Sequence, residues 1–338
     1  MLARVATALF LLAATACNPK TDAPALPELR VRYPIPALRA TMAPFVAAEA
    51  TGAYAAEKLY VKFGYGGSGT NPVSMVLQGQ DDVAILGGPD TLLVANGKGA
   101  DLVAIAVLHR NADFVCLVTR ADSGIERVEQ LQGKRVGLFP GHISTDVLHA
   151  FLRRSSVAVT EVDVGYDYGQ LVAKNVDAQW AFTTAAAVEL PEKGVPVNII
   201  SPTSAGIRTH GYTIFTRRDV LKNQRAALKS FLAATFKGLR YAHEHPAETA
   251  SMLVKQDTTG NLEQQQVMRR LAQLDGVTSL SNPYPPGYMD REMFEDTYAR
   301  LNDLGLIAQP YDVGRAYDTS LLQELHGPAM QMAEARVR

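Results

Sequence analysis

The sequence predicts a two-lobed α/β protein with a helical C-terminal tail, and three observations lead to this fold class. Short apolar runs alternate with helix-like runs, which is typical of mostly parallel sheets covered by helices. The alternation comes in two series, with chain crossings near 109–113 and 203–212. From Val220 onward the spacing of apolar residues is helical. The predicted parts are lobe 1 at 29–112 plus 213–338 and lobe 2 at 113–212.

The N-terminus has the pattern of a secretory signal. A positive charge precedes an apolar run from Val5 to Ala14, and Ala14-Thr15-Ala16 is a small-residue cleavage site before Cys17. Small residues directly before a cysteine resemble the bacterial lipobox, in which that cysteine receives the lipid. A plain signal peptide cut at the same point is the alternative. We expect a signal peptide over 1–16 and a lipid-anchored, proline-rich tether over 17–28.

The predicted elements follow in chain order. The first series has strands at 29–33, 59–65, 83–86 and 101–108, and helices at 42–56, 72–80 and 90–97. The second series has strands at 114–119, 135–139, 159–165, 177–182 and 196–201, and helices at 123–132, after Ser144 or Thr145, at 168–174 and at 184–193. A strand at 212–216 follows the second crossing, and the tail has helices at 223–243, 246–256, 261–274 and 290–304. The pair Asp81-Asp82 is interpreted as a solvated turn, and His109 and Arg110 as the end of a strand.

Composition and motifs exclude several classes of function. Lys and Arg total 33 against 34 for Asp and Glu, so the chain lacks the basic excess of nucleic-acid-binding proteins. Besides Cys17 the only cysteine is Cys116, whose apolar strand context favours a small buried residue over a nucleophile. The sequence contains no P-loop and no GxGxxG, CxxC, HExxH or GxSxG motif. We therefore expect a monomer without catalytic activity, metal, cofactor or nucleic-acid partner.

Glycine-rich turns in both series are candidate ligand contacts. A strand that feeds a glycine turn and then a helix start presents backbone N–H groups to a polar or anionic small molecule. The turn at 66–71 ends on a good N-cap before Pro72, and the turn at 87–90 ends in the same way. The turn at 139–146 is the counterpart in lobe 2, with Ser144 expected as the helix cap. The candidates from these turns are Gly67, Ser68, Thr70, Asp90, His142 and Ser144.

Aromatic residues stand at the predicted carboxyl ends of strands, which face the cleft in this architecture. Aromatic walls enclose flat or apolar ligands. The alternative is that these rings cap the core, since aromatic residues are common in strands. The candidates are Tyr33, Tyr65, Phe139, Tyr166 and Phe182. At the second crossing, Arg208 is either an anion ligand across the cleft or a solvated hinge residue.

Several short motifs occur in one order along residues 29–256. They are Ala43-Pro44-Phe45, Gly52-Ala53-Tyr54, Asp82-Val83-Ala84-Ile85, Leu131-Gln132-Gly133-Lys134-Arg135-Val136-Gly137, Val176-Asp177-Ala178 and Phe231-Leu232-Ala233-Ala234. This order resembles the extracytoplasmic substrate-binding proteins of ABC importers, in the branch for thiamine-pyrimidine precursors and for nitrate, sulfonate and taurine. The resemblance implies a type II periplasmic-binding fold that captures a solute by hinge closure. The fungal thiamine-pyrimidine synthase is similar in fold, but this chain lacks the cysteine-rich motif of that enzyme family.

From the resemblance we expect a lipid-anchored protein, periplasmic or at the cell surface, that delivers a small solute to an ABC permease and its ATPase. The strand-end aromatics favour a flat heteroaromatic solute such as a pyrimidine or a flavin-like vitamin precursor. A sulfonate, taurine or another small anion is the second reading, which rests on Arg208 and two helix N-termini. An enzyme on the same fold and a sensory module are the remaining alternatives.

Overall fold

Two five-stranded sheets, each covered by helices, organise the chain. The computed structural model describes residues 26–67, 70–110, 114–140, 143–275 and 284–337, with the backbone alone at 143, 184, 334, 336 and 337. The predicted signal peptide, Cys17 and most of the predicted tether lie outside these residues. Among the described helices, none is long and apolar enough to cross a membrane.

The described secondary structure follows the predicted alternation closely. The strands are β1 (Glu28–Arg32), β2 (Tyr60–Gly64), β3 (Val83–Leu86), β4 (Leu102–His109), β5 (Val115–Arg120), β6 (Arg135–Leu138), β7 (Thr160–Asp163), β8 (Ala178–Phe182), β9 (Val197–Ile200) and β10 (Gly211–Arg217). The helices of the two series are α1 (Ala43–Ala50), α2 (Ala53–Ala56), α3 (Pro72–Leu77), α4 (Asp90–Gly97), α5 (Ile143–Arg154), α6 (Gly169–Val172) and α7 (Thr183–Glu192). The tail helices are α8 (Arg218–Asn223), α9 (Arg225–Glu244), α10 (Pro246–Gln256), α11 (Gln264–Asp275), α12 (Arg291–Asp303), α13 (Ser320–His326) and α14 (Pro328–Val337).

Both sheets are mostly parallel, as predicted, but each contains one antiparallel strand that was not predicted. The first sheet has the order β2-β1-β3-β10-β4, and the second has the order β7-β6-β8-β5-β9. β10 runs antiparallel to β3 and β4, and β5 runs antiparallel to β8 and β9. The reason is the chain path: each of these strands begins at the crossing between the sheets, where the neighbouring strands end. His109 at the end of β4 accordingly pairs with Gly211 at the start of β10.

Separate apolar cores support the two sheets, and we call the parts around them lobe 1 and lobe 2. The core of lobe 1 contains the first sheet, α1, α9 and residues of the tail helices, so the tail packs against the first sheet. Lobe 2 has one apolar cluster on each face of its sheet, around Phe151 and around Leu171. Lobe 1 is therefore discontinuous in sequence. Its exact limits at 112/113 and 212/213 stay a prediction, because 111–113 lie outside the described residues.

Some predicted elements differ in detail. The helix expected at 42–56 is interrupted at Gly52, whose φ of 73° lies in the left-handed region that ends α1 and lets α2 start in a new direction. The helix expected at 123–132 is two 3₁₀ turns, Ala121–Ser123 and Val128–Leu131. Helices α13 and α14 had no predicted counterpart.

The acidic pair before β3 is buried, which corrects its interpretation as a solvated turn. Asp82 accepts hydrogen bonds from Arg30 Nε at 2.9 Å and Nη2 at 2.8 Å, and Asp81 accepts one from Arg32 Nε at 2.8 Å. The two aspartates are 4–5% exposed. These ion pairs fasten β1 to the start of β3.

Candidate functional site

The first glycine turn lies between β2 and α3 at the cleft end of the first sheet. A Cβ at Gly66 would stand 2.6 Å from the carbonyl oxygen of Pro34, so the turn needs glycine to pack against the segment after β1. Thr70 N donates to Gly67 O at 3.0 Å and closes the turn. Asn71 is the helix cap as predicted, since its Oδ1 accepts from Val73 N at 2.9 Å and Ser74 N at 3.2 Å. Ser68 lies outside the described residues.

The second glycine turn leads into α4, but Asp90 is not its cap. Pro89 holds the cap position and Asp90 is the first helical residue. The Asp90 carboxylate is bound by Nη2 of Arg300 from α12, and both side chains are about one-tenth exposed. A Cβ at Gly88 would meet the carbonyl oxygen of His210 at 2.6 Å, so this turn lies against the second crossing.

The turn before α5 is the corresponding feature of lobe 2. The helix begins at Ile143, so Ser144 lies in its first turn, 1% exposed, which corrects the expectation that it caps the helix. Thr145 Oγ1 donates to Phe139 O at 2.7 Å and ties the turn together. Burial raises the pKa of Asp146, and the nearby Asp90 of lobe 1 raises it further, against His149 and Arg300. Asp146 therefore marks where the two lobes face each other. His142 lies outside the described residues.

Two histidines are buried where the chain passes between the lobes. His109 packs its ring 4.9 Å from Tyr212 and 5.9 Å from Phe114. Burial lowers the pKa of His109 to about 4, and burial together with the charge of Arg110 lowers that of His210 to about 4. Both imidazoles are therefore neutral at physiological pH. Neither His109 nor His210 contributes a positive charge to the cleft.

Cationic side chains near the crossings are already held by carboxylates. Arg110, expected to be a plain strand end, is 8% exposed, pairs with Asp290 and lies 4.0 Å from the ring centroid of Tyr284. Arg208 pairs with Glu292 at 3.1 Å, with both side chains about half exposed. Both ion pairs line a small recess, and His210 and Asp296 also lie along it. The position of Arg208 fits its alternative interpretation as a solvated hinge residue.

Four rings at the strand ends of lobe 2 form a continuous surface that we call the aromatic wall: Phe139, Tyr166, Trp180 and Phe182. Phe139 stacks on Trp180 at 5.6 Å and meets Tyr166 edge-on at 4.8 Å. Trp180 meets Phe182 edge-on at 5.3 Å, and its Nε1 donates to Gly165 O at 3.1 Å. Trp180 is 3% exposed and Tyr166 is 58% exposed, so the wall is anchored from behind and open in front.

The aromatic wall continues to the crossings through Phe114. Its ring lies 4.8 Å from that of Phe182 and 6.3 Å from that of Tyr212. Strand ends in the sequence predicted Phe139, Tyr166 and Phe182 as ligand contacts but not Trp180 or Phe114. The signal for Trp180 was available, because it lies two residues before Phe182 on the same face of β8.

The aromatic candidates of lobe 1 divide into one core residue and one surface residue. Tyr33 is 2% exposed, and its ring stacks on that of Phe63 at 4.9 Å. Tyr33 is therefore a core ring, which is the alternative interpretation given above for the strand-end aromatics. Tyr65 is 41% exposed, with its ring 5.6 Å from that of Tyr33. Tyr65 is therefore the ring of lobe 1 that remains available to a solute.

Comparisons with known proteins agree with this architecture. A family model described as NMT1/THI5 like matches residues 39–249, more than half of the chain. The riboflavin-binding protein RibY of Chloroflexus aurantiacus is 23% identical over 293 residues, covering 81% of this chain and 80% of that protein. The periplasmic aliphatic sulphonate binding protein SsuA of Escherichia coli superposes with a TM-score of 0.68 at 17% identity, over 86% of this chain and 91% of SsuA. The desulfurization enzyme DSZB superposes with a TM-score of 0.60 at 12% identity, over 91% of this chain and 99% of DSZB. The shared fold is the two-lobed periplasmic-binding fold.

Proposed function

The chain belongs to the NMT1/THI5-like family, and on that premise we propose that it is an extracytoplasmic solute-binding protein. It holds a flat heteroaromatic solute in the cleft between its lobes and performs no chemistry on it. The observation that carries this proposal is the aromatic wall of lobe 2, whose rings are locked behind by Trp180 and open toward the cleft. Extended ring faces stabilise planar ligands by stacking.

The arrangement of exposed rings suits a planar solute of one to three fused rings. Tyr166 offers the most exposed ring of lobe 2, and Tyr65 offers an exposed ring beside the first glycine turn of lobe 1. Burial raises the pKa of both phenols, so each keeps its O–H as a hydrogen-bond donor at physiological pH. The backbone groups around Gly67 and Thr70 add polar partners for the edge of the solute. Closure of the two lobes over the solute would bring these rings and backbone groups together only when solute is present.

A small anion such as a sulfonate is the second candidate, and one observation favours it. Within the described part of the chain, Nε of Arg110 and Nη1 of Arg300 are buried and have no hydrogen-bond partner. SsuA, which shares the fold, is named for aliphatic sulphonates. The heteroaromatic reading is preferred because Arg110, Arg208 and Arg300 each already have a carboxylate partner. RibY, which is named for riboflavin, also supports it.

Binding without turnover is supported by the surroundings of Cys116. This residue is 0% exposed in β5, where its Sγ donates to Ala181 O at 3.6 Å. A thiol buried among apolar residues is neither ionised nor accessible to a solute in the cleft. Since DSZB is an enzyme with a similar fold, recovery of an altered compound after incubation would overturn this part of the proposal.

The wider proposal places the protein on the outer side of a bacterial membrane. Cys17 carries the lipid, residues 18–28 are the tether, and solute passes to the permease and ATPase subunits of an ABC importer. The protein acts as a monomer with lobe 1 at 29–112 plus 213–338 and lobe 2 at 113–212. This part rests on the N-terminal sequence and on the family.

A calorimetric titration tests the ligand class directly. Riboflavin, a hydroxymethylpyrimidine and taurine are titrated separately into the processed protein, and each mixture is analysed afterwards by chromatography. We expect micromolar or tighter binding of a heterocycle, unchanged compound after release, and an affinity for the heterocycle that Arg208→Ala alters by less than about twofold, because Arg208 is exposed and paired. Binding of taurine alone, abolished by Arg208→Ala, would replace the heteroaromatic reading with the anionic one.

A further inference from the structure

Helices α7 and α11 lie side by side although they belong to different lobes. The apolar residues of α11, among them Val267, Leu271 and Leu274, are part of the core of lobe 1. Those of α7, Ala186 and Leu190, are part of the core of lobe 2. Each helix thus turns its apolar face into its own lobe, and their contact is made by other residues.

The contact between α7 and α11 is polar and complementary in charge. Glu192 Oε1 accepts from Arg269 Nε at 2.6 Å, and its Oε2 accepts from Gln266 Nε2 at 2.9 Å. Glu189 accepts a hydrogen bond from Arg270. Glu189 and Glu192 are spaced i, i+3 and therefore lie on one face of α7. Two negative groups of lobe 2 thus meet two positive groups of lobe 1.

The burial of Arg270 depends on the lobes being close together. Its side chain is 11% exposed, while that of its partner Glu189 is 28% exposed. Because its partner Glu189 belongs to lobe 2, moving the lobes apart would break this ion pair and expose the guanidinium to more water. Permanent interfaces bury apolar surface, whereas charged surfaces can separate without leaving apolar area exposed. The composition of this contact fits one that opens and closes.

The contact between α7 and α11 also lies beside the cleft. α7 starts at Thr183, directly after Phe182 of the aromatic wall. On the other side, α11 packs against the 3₁₀ helix Ala40–Met42, whose Thr41 hydroxyl shares a hydrogen bond with that of Tyr212 at the second crossing. A change in the spacing of α7 and α11 therefore changes the width of the cleft.

We propose that Glu189 and Glu192 of α7, with Gln266, Arg269 and Arg270 of α11, form a clasp that holds the two lobes together. The clasp sets the balance between open and closed protein and thereby the residence time of a bound solute. Its effect on solute rests on the proposed function, but its effect on lobe spacing does not. Because the groups are charged and partly exposed, added salt weakens the clasp.

Spin labels test the clasp in protein without solute. Lys62 of lobe 1 and Lys134 of lobe 2 are both exposed. The substitutions Lys62→Cys and Lys134→Cys allow spin labels to be attached, and pulsed electron paramagnetic resonance measures the distance between them. In the double variant Glu189→Gln, Glu192→Gln we expect the population with widely separated labels to increase about three- to tenfold. The matched control is Glu324→Gln, which removes ion pairs to Arg225 and Lys229 within lobe 1 and should leave the distances unchanged.

A charge exchange and a kinetic measurement complete the test. Glu192→Arg alone should open the lobes, and Glu192→Arg combined with Arg269→Glu should restore the parent distances, which a nonspecific loss of folding would not do. If a solute has been identified, the double variant should release it about three- to tenfold faster with little change in association rate. Distances identical to those of the parent in every variant would overturn the clasp. Altered distances with no solute bound by the parent would instead retain the clasp and reject the proposed function.

Discussion

Lobe 1 and lobe 2 both carry aromatic rings near the ends of their strands, but lobe 1 packs most of them inward while lobe 2 leaves most of them partly exposed. Tyr33, Phe45 and Phe63 form a buried or half-buried cluster between the first sheet and α1. In lobe 2, Trp180 is the buried ring and its neighbours Phe139, Tyr166 and Phe182 are partly exposed. The difference suggests that the rings of lobe 1, Tyr65 excepted, stabilise the fold, whereas under the proposed function those of lobe 2 contact the solute.

The largest expected effect is on the stability of lobe 1. Phe45 is 0% exposed and packs 5.7 Å from Tyr33, 6.1 Å from Phe63 and 6.3 Å from Phe231. Phe45→Ala should lower the free energy of unfolding by about 3–5 kcal/mol, because it leaves a cavity among these rings. Urea denaturation followed by circular dichroism measures the change. Tyr166→Ala in lobe 2 is the control and should lower the free energy of unfolding by less than about 1 kcal/mol. If the two variants lost equal stability, the proposed difference between the rings of the two lobes would be wrong.

An effect that is smaller for each residue concerns acid, and it too should come from the first sheet and the crossings. His109 and His210 have a pKa of about 4 in the fold, below the ordinary value of 6.5. Between pH 6.5 and 4 the unfolded chain therefore binds protons that the folded chain does not. The free energy of unfolding should fall as pH falls through this window, on the order of 3 kcal/mol for each histidine.

Denaturation curves at pH 7, 5.5 and 4.5 measure this acid sensitivity. His210→Asn should remove about half of the histidine-dependent slope. His149→Asn is the control in lobe 2, because His149 is partly exposed and lies 3.0 Å from Glu161 at the surface. A slope that responds to His149→Asn and not to His210→Asn would contradict the assignment.

The smallest expected effect is on affinity and belongs to lobe 2. Tyr166→Ala removes the most exposed ring of the aromatic wall and should weaken binding of a heteroaromatic solute about tenfold, which is the typical contribution of one stacked aromatic pair. Tyr166→Phe keeps the ring and should stay within about threefold of the parent. Calorimetric titration gives both values. Equal weakening by the two variants would assign the effect to the hydroxyl instead of the ring.

The sequence predicted the strand at 83–86 and the helices at 90–97 and 246–256 with the bounds that the structure has. Glycine, proline and aspartate mark the limits of these elements locally. The directions of β5 and β10 were not predictable in the same way, because they depend on where the chain re-enters each sheet. The burial of Asp82 was missed for a similar reason, since its partner Arg30 is 52 residues away.

The strand-end positions of the candidate residues were predictable from the sequence, but the surroundings of their side chains were not. Alternation and strand ends identified Phe139, Tyr166 and Phe182, because their positions follow from strand length alone. Whether a strand-end ring points into the core, as Tyr33 does, depends on helices packed over it from elsewhere in the chain. Asp90 and Arg208 each form an ion pair with a residue of α12, Arg300 and Glu292 respectively. No local sequence pattern predicts these two ion pairs.

The insertion of β10 between β3 and β4 has a consequence for the order in which the molecule can assemble during synthesis. The second sheet is built from one uninterrupted segment, Val115–Ile200, and is complete as soon as that segment is available. The first sheet stays divided, with β4 lacking its neighbour, until residues 211–217 emerge. Lobe 2 is therefore expected to fold first on a growing chain. The strands β1 to β4, although synthesised earlier, complete their sheet only after β10 has been synthesised.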